Sequence, residues 1–297
     1  MRSEASAPQL TTHIGPAFGC LALALDARSD VARLERTGEG ILKVTAPDSS
    51  RARLAAEAAR LGLGDADGVW VLTLDASAAE DALGATTPAL VAAWRAARSA
   101  RGEDASVDDA VATLGALMQR SGGLPDPAGI AACAGDGAGW AIDLHPPRAL
   151  SLRPALAWIA LCTPEVTWGP RRRRDASPRE VAWMKHARQM ARAGALGHLL
   201  CQPDASADSL RAAFEDAVSD GFDALFPGMH PALRGARRAG ALGSWMSGTG
   251  PTLCAYARGE SEASAAADAM IDALEAHCVL AQARVVRVGI SEERSEA

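Results

Sequence analysis

Lysine is almost missing from this chain of 297 residues: Lys43 and Lys185 stand alone, and arginine supplies nearly all of the positive charge. Aromatic residues make up 4%, with a single tyrosine. No excess of basic charge exists either; the net charge is -6, which argues against a nucleic-acid partner. No apolar run approaches the length of a membrane span. The opening "MRSEASAPQL" lacks the charged-then-apolar order of a secretory signal, so a cytoplasmic location is expected. Six cysteines occur, but no pair is spaced as CxxC or as a Cys/His metal motif. Buried free thiols are expected.

What is present is apolar bulk. Hydrophobic residues reach 48%, and the length suits one large domain or two ordinary ones. Alanine is spread throughout, as is arginine, a pattern that reads as compositional bias before it reads as function.

Local patterns set the expected elements. Apolar residues from Ile14 to Leu25 read as a strand entered through a Gly-Pro turn. "RLERTGEGILKVTA" reads as a hairpin around Gly38 to Gly40. "SSRARLAAEAARLGLG" predicts a helix with Ser49 or Ser50 as N-cap and a glycine stop. "GVWVLTLDA" predicts a buried strand. "TTPALVAAWRAARSARG" predicts a helix with threonine caps and Pro88 in its first turn. "SVDDAVATLGALMQRSGG" predicts another helix, and "AGIAACAGDGAGWAIDL" a loop followed by a strand. After the strand "LAWIALCTP" come helices over 178–200, 207 to about 218, and 231–239. "TLCAYA", a helix over 261–277 and the strand "ARVVRVGI" close the chain. The irregular alternation predicts an α+β fold with layered sheets and a boundary near Leu150.

Three glycine-rich segments have the composition to cradle an anion: "LGATTP" over 83–88, "GDGAG" over 135–139 and "SGTGP" over 247–251. Converging amides, helped by the positive end of a following helix, hold negative charge. None matches the GxxxxGK[ST] phosphate loop or the GxGxxG dinucleotide turn.

At these residues the chain resembles a known family. "GALGSWMSGTGPTLCAYA" is similar to the third motif of homoserine kinase, of the GHMP kinase superfamily that includes galactokinase and mevalonate kinase. "IGPAFGCLALALD" is similar to that family's first motif, usually "ANLGPGFDCLGLALD". "LFPGMHPAL" has the family's Pro-Gly placement, and "GGLPDPAGIAACAGDGAGWAI" is similar to the segment written "EGHPDNVAPALLGGLVV". The resemblance runs over nearly the whole chain. It implies a two-domain GHMP kinase-like fold, with an S5-like N-terminal domain (1–150) and a ferredoxin-like C-terminal domain (151–297). It also implies ATP-dependent phosphorylation of a hydroxyl on a small, amino-acid-like metabolite, with ATP and Mg²⁺ as cofactors and a possible homodimer.

The resemblance also assigns residues. Gly84, Thr86 and Thr87 fall on the family's "GLGSSAA" nucleotide loop. Ser247, Gly248, Thr249 and Gly250 fall on the third-motif turn, as a phosphate or anion cradle. Thr167 and Arg171 fall on the substrate side, and His13 takes the place of the first-motif asparagine. Four departures accompany these. His13 replaces that asparagine, Gly19 stands where a substrate-binding aspartate is usual, Gly122 where a magnesium-holding glutamate is usual, and Phe222 where an arginine is usual. Asp126 and Asp136 are the candidate replacement metal ligands. The changes raise a second expectation: a divergent homologue without kinase activity, acting on or merely binding an anionic or phosphorylated small molecule.

Each assignment has a plainer alternative. His13 is a general base or anion contact, or a turn histidine. Arg171 is a substrate contact, or part of a solvated arginine run to Arg174. Ser247 to Gly250 is an anion cradle, or a structural helix stop. Asp126 and Asp136 are ligands, or turn formers. Trp168 and Trp245 wall a pocket, or belong to the core.

Overall fold

A computed structural model describes residues 1–17, 19–46, 49–75, 83, 86–166, 180–216 and 225–289. Ten strands join into one sheet, and eight helices are present among these residues. The strands are β1 (Arg2–Thr12), β2 (Leu21–Gly38), β3 (Lys43–Thr45), β4 (Val69–Asp75), β5 (Ala138–Leu144), β6 (Pro147–Leu152), β7 (Trp158–Pro164), β8 (Gly243–Met246), β9 (Leu253–Ala257) and β10 (Ala281–Val288). The helices are α1 (Ser50–Leu63), α2 (Thr87–Ala100), α3 (Val107–Arg120), α4 (Pro127–Ala134), α5 (Trp183–Leu199), α6 (Ala207–Phe214), α7 (Met229–Arg238) and α8 (Glu260–Glu275).

The long β2 organises the first half. It pairs antiparallel with β1 along most of that strand, from Arg2↔Glu35 to Thr12↔Ala22, with a register shift between Pro8 and Leu10. It also pairs with β4, β5 and, through Leu25 and Asp26, with β10. Its start, "LALAL", is buried on both faces, so both leucines and alanines are hidden there. Helices α1 and α2 cover the sheet with alanine-rich faces. Small residues let them approach closely: a Cβ on Gly62 would lie 2.8 Å from that of Ala97. The α1 caps are those expected, Ser49 accepting from the Ala52 amide and Gly64 ending the helix.

From β7 onward the order is strand, helices, strand, strand, helix, strand, and the sheet runs β10-β7-β9-β8 with every neighbour antiparallel. That is the double split βαβ of a ferredoxin-like unit. Its helices α7 and α8 bury Leu233, Met270 and Leu274 with Met246 and Leu253 of the sheet. The α+β class is therefore as the sequence implies.

Several elements differ from expectation. Residues 14–17 form a turn, and the strand begins only at Leu21. The hairpin at Gly38 to Gly40 is absent: β3 pairs with β4 in parallel, and β4 returns antiparallel to β2. Helix α1 lies between β3 and β4, so this is a crossover rather than a tight turn. Strand β1 is formed from an Ala- and Ser-rich segment with little intrinsic strand preference, held by pairing with β2. Helix α4 replaces an expected loop. It is buried on every side, so it has no amphipathic period to read.

Candidate functional site

The chain has two glycine-marked turns that meet, though they are separated by more than 230 residues. One closes β1, where Thr11 and Thr12 end the strand and His13 follows it. The other is the Ser247 turn between β8 and β9. Thr11 Oγ1 donates to Ser247 Oγ at 2.9 Å and accepts from Trp245 Nε1 at 3.2 Å. The Thr12 amide also reaches Ser247 Oγ, at 3.4 Å. Three amides of the turn are spent inside the protein. Gly248 N donates to Thr12 O at 3.2 Å, Ser247 N to Thr252 O at 2.9 Å, and Gly250 N to Ser247 O at 2.8 Å. Gly248 has φ +48°, a conformation that favours glycine, and a Cβ there would make a tight 3.3 Å contact with Thr12 Oγ1. Below the turn, Trp245 is buried and stacked on Phe214 at 5.8 Å, which makes it core rather than pocket wall.

His13 sits at the mouth of this joint in a left-handed conformation, φ 60°, with Nδ1 3.1 Å from Thr12 Oγ1. The turn behind it is held by Gln189, a buried residue of α5 whose Nε2 donates to Pro16 O at 3.1 Å and to Asp216 Oδ1 at 2.7 Å. Sequence reasoning missed Thr11 and Gln189. The threonine pair at a strand end was a readable signal, whereas Gln189 looked like any polar helix residue.

The second cluster lies where α2 and α4 begin. Thr86 takes the N-cap place of α2 without a side-chain cap bond, and Pro88 sits in the first turn. Thr87 is buried, and its Oγ1 donates to Asp126 Oδ2 at 2.8 Å. Asp126 is the N-cap of α4; its Oδ1 accepts from the Gly129 amide at 2.9 Å. The residue is half-buried, and desolvation of its carboxylate pushes the pKa up. The hydrogen bonds from Thr87 and Gly129 oppose that rise. A carboxylate offers about four lone-pair sites. Two of those on Asp126 are used among the described residues, so acceptor capacity remains. The positive ends of two helices converge on it.

Asp136 does not join this cluster. It lies just past the other end of α4, exposed, with Arg153 at 3.4 Å. The structure thus separates the two aspartates by the length of α4, about 12 Å. Among the described residues no group of three or more His, Cys, Asp or Glu side chains is placed to hold a metal ion. Gly19 and Gly122 have φ of +75° and +76°, conformations in which an acidic side chain would be strained. Gly84, Thr167, Trp168, Arg171 and Phe222 lie outside the described residues. No helix among the described residues is long and apolar enough to cross a membrane.

Comparison with known proteins places this architecture. Residues 188–276 match the family model for the C-terminal region of GHMP kinases. A homoserine kinase of Thermus thermophilus is 35% identical over 120 residues, which is 40% of this chain and 40% of that one. The aligned part therefore spans well under two thirds of that relative. The solved homoserine kinase of Cytophaga hutchinsonii superposes with a TM-score of 0.84 at 20% identity, covering 97% of this chain and 95% of the other. A phosphomevalonate kinase of Streptococcus pneumoniae gives 0.70 at 11% identity over 97% and 99%. The fold is that of the GHMP kinases. The local sequence similarity is to a homoserine kinase, over 120 residues.

Proposed function

We propose that this protein is a small-molecule kinase that phosphorylates a hydroxyl on an amino-acid-like metabolite, using ATP and Mg²⁺. The observation that carries this reading is the Thr87–Asp126 contact. Phosphoryl transfer depends on positioning and electrostatics, and a hydroxyl beside a carboxylate at a helix start is a recurring way to hold its cation. Magnesium needs only one or two protein carboxylates when phosphates complete its shell. The residues present fit that demand: Asp126 has acceptor capacity to spare, and the Gly84 to Thr87 segment leads into the positive end of α2. When bound, the ion would neutralise charge on the phosphates. Asp126 would then serve where Gly122 offers nothing.

His13 is proposed on the acceptor side, as a group able to take or hold a proton near the substrate hydroxyl, together with Thr167 and Arg171. Thr249 and its neighbours in the Ser247 turn are proposed to shape the phosphate side, chiefly by fixing β1 and β8 in place. The division into 1–150 and 151–297 belongs to the same reading, with the site where the halves meet. The pneumococcal phosphomevalonate kinase structure, which holds phosphomevalonate and AMPPNP, supports a nucleotide role for this fold.

A second reading has its own support. The amides of Ser247, Gly248 and Gly250 are already paired, and Gly19 and Gly122 carry no side chain. Under that reading the protein binds or transforms an anionic or phosphorylated small molecule without phosphorylating it. Calorimetry with ATP in the presence and absence of Mg²⁺ decides between them, followed by a phosphoryl-transfer assay on hydroxy amino acids. Magnesium-dependent ATP binding with turnover supports the kinase. Absence of ATP binding at millimolar concentration overturns it in favour of the second.

A further inference from the structure

A groove of about 1240 Å³ lies at the other ends of α2 and α4, away from the Thr87–Asp126 cluster. Its walls are the first residues of β1, the middle of β2, the C-terminal part of α2, residues 135–136, residues 153–156 and the end of β10. Neither candidate cluster contributes to it.

The charges in its wall divide into two kinds. Some are satisfied: Glu103 pairs with Arg98 and Arg101 at 2.6 Å each, Glu4 with Arg33 at 2.6 Å, and Asp136 with Arg153. Others are not. Arg95, halfway along α2, donates to the carbonyls of Cys133 and Ala134 at 3.3 and 2.9 Å, and no carboxylate faces it among the described residues. Burial pushes its pKa down, and only the neighbouring Cys133 thiol opposes that fall. Arg287 and Asp26 stand opposite each other on β10 and β2 without forming an ion pair among the described residues. Asp104 likewise has no side-chain partner among them, and Ser99 lies one turn beyond Arg95 on α2.

Two arginines and two carboxylates, without ion-pair partners among the described residues and lining one groove, are complementary to a ligand carrying both signs. We propose that this groove binds a small zwitterion of the amino-acid type, its carboxylate drawn to Arg95 and Arg287 and its ammonium to Asp26 or Asp104. Guanidinium groups suit a carboxylate through paired N–H donors. The partial burial of Arg95 strengthens that contact relative to open solvent. The inference does not depend on the kinase reading, because it involves neither Asp126 nor His13.

The test is calorimetry on the full chain with each common α-amino acid, using acetate and methylamine as probes of the two halves. The expected result is that at least one amino acid binds more tightly than either probe. Arg287→Gln, an exposed change, is then expected to weaken that binding about tenfold, whereas Asp126→Asn leaves it within about twofold. Arg95→Gln is expected to weaken it further, with circular dichroism checking that α4 is still held. The proposal is overturned if no amino acid binds, if acetate binds as well as the best amino acid, or if Arg287→Gln leaves the affinity unchanged.

Discussion

The Ser247 turn and the α2–α4 start are both polar, glycine-flanked breaks between apolar elements, and they are used in opposite ways. In the turn, the amides of Ser247, Gly248 and Gly250 and the hydroxyl of Ser247 are committed to protein partners, most of them on β1. At the helix starts, Asp126 accepts from Thr87 and Gly129 and still has acceptor capacity. The comparison teaches that glycine content alone does not make an anion site. What matters is whether the hydrogen-bonding groups are left with work to do after folding. The turn's polar groups are spent on the fold, whereas the helix starts keep an acceptor for the cation proposed above.

The largest expected effect tests the second half of that statement. Asp126→Asn is expected to reduce magnesium-dependent nucleotide affinity about 100-fold, or about 2.8 kcal/mol, in a calorimetric titration. The joint is tested next, through stability. Ser247→Ala removes the acceptor shared by Thr11 Oγ1 and the Thr12 amide, and should cost about 1–3 kcal/mol in urea unfolding. Gly243→Ala makes a similar point from beneath. Its Cβ would lie 2.1 Å from Phe214 Cγ, so the Phe214–Trp245 stack must move, at about 1–3 kcal/mol.

Two smaller effects sharpen the contrast. Burial raises the folded-state pKa of Asp126 above its ordinary value of 3.8. The folded protein therefore binds this proton more readily than the unfolded chain. The residue's contribution favours the fold below pH 3.8 and is lost as pH rises through the raised value. Asp126→Asn should remove that part of the pH dependence, so comparing thermal unfolding of the two proteins from pH 3.5 upward isolates it. Cys254, 3.5 Å from Thr11 Oγ1, reports on the joint directly. Burial pushes its thiol up to about 12. It should resist a thiol reagent at neutral pH until the chain unfolds, and react sooner in Ser247→Ala.

Much of this was readable from residues alone. The N-cap of α1 at Ser49, the helix over "SVDDAVATLGALMQRSGG", the strands "TLCAYA" and "ARVVRVGI" and the α+β class follow from local rules. The resemblance located both clusters. What could not be read depended on partners distant in sequence. Strand β1 exists because β2 pairs with it, and β3 chose β4 over β2 because a helix separates them. Helix α4 has no polar face to announce it. The Thr87–Asp126 contact links positions 39 apart. Of two aspartates equal on paper, only the fold distinguishes the one at a helix start from the one beyond its end.

The account stands or falls on Asp126 holding a cation rather than only capping α4. The decisive measurement pairs thermal unfolding with ATP–Mg²⁺ titration of Asp126→Asn, a change that keeps an acceptor for the Gly129 amide. The prediction is a melting temperature at neutral pH equal to or above that of the parent protein, together with the loss of magnesium-dependent nucleotide binding. A variant that binds ATP–Mg²⁺ as tightly as the parent would contradict the account.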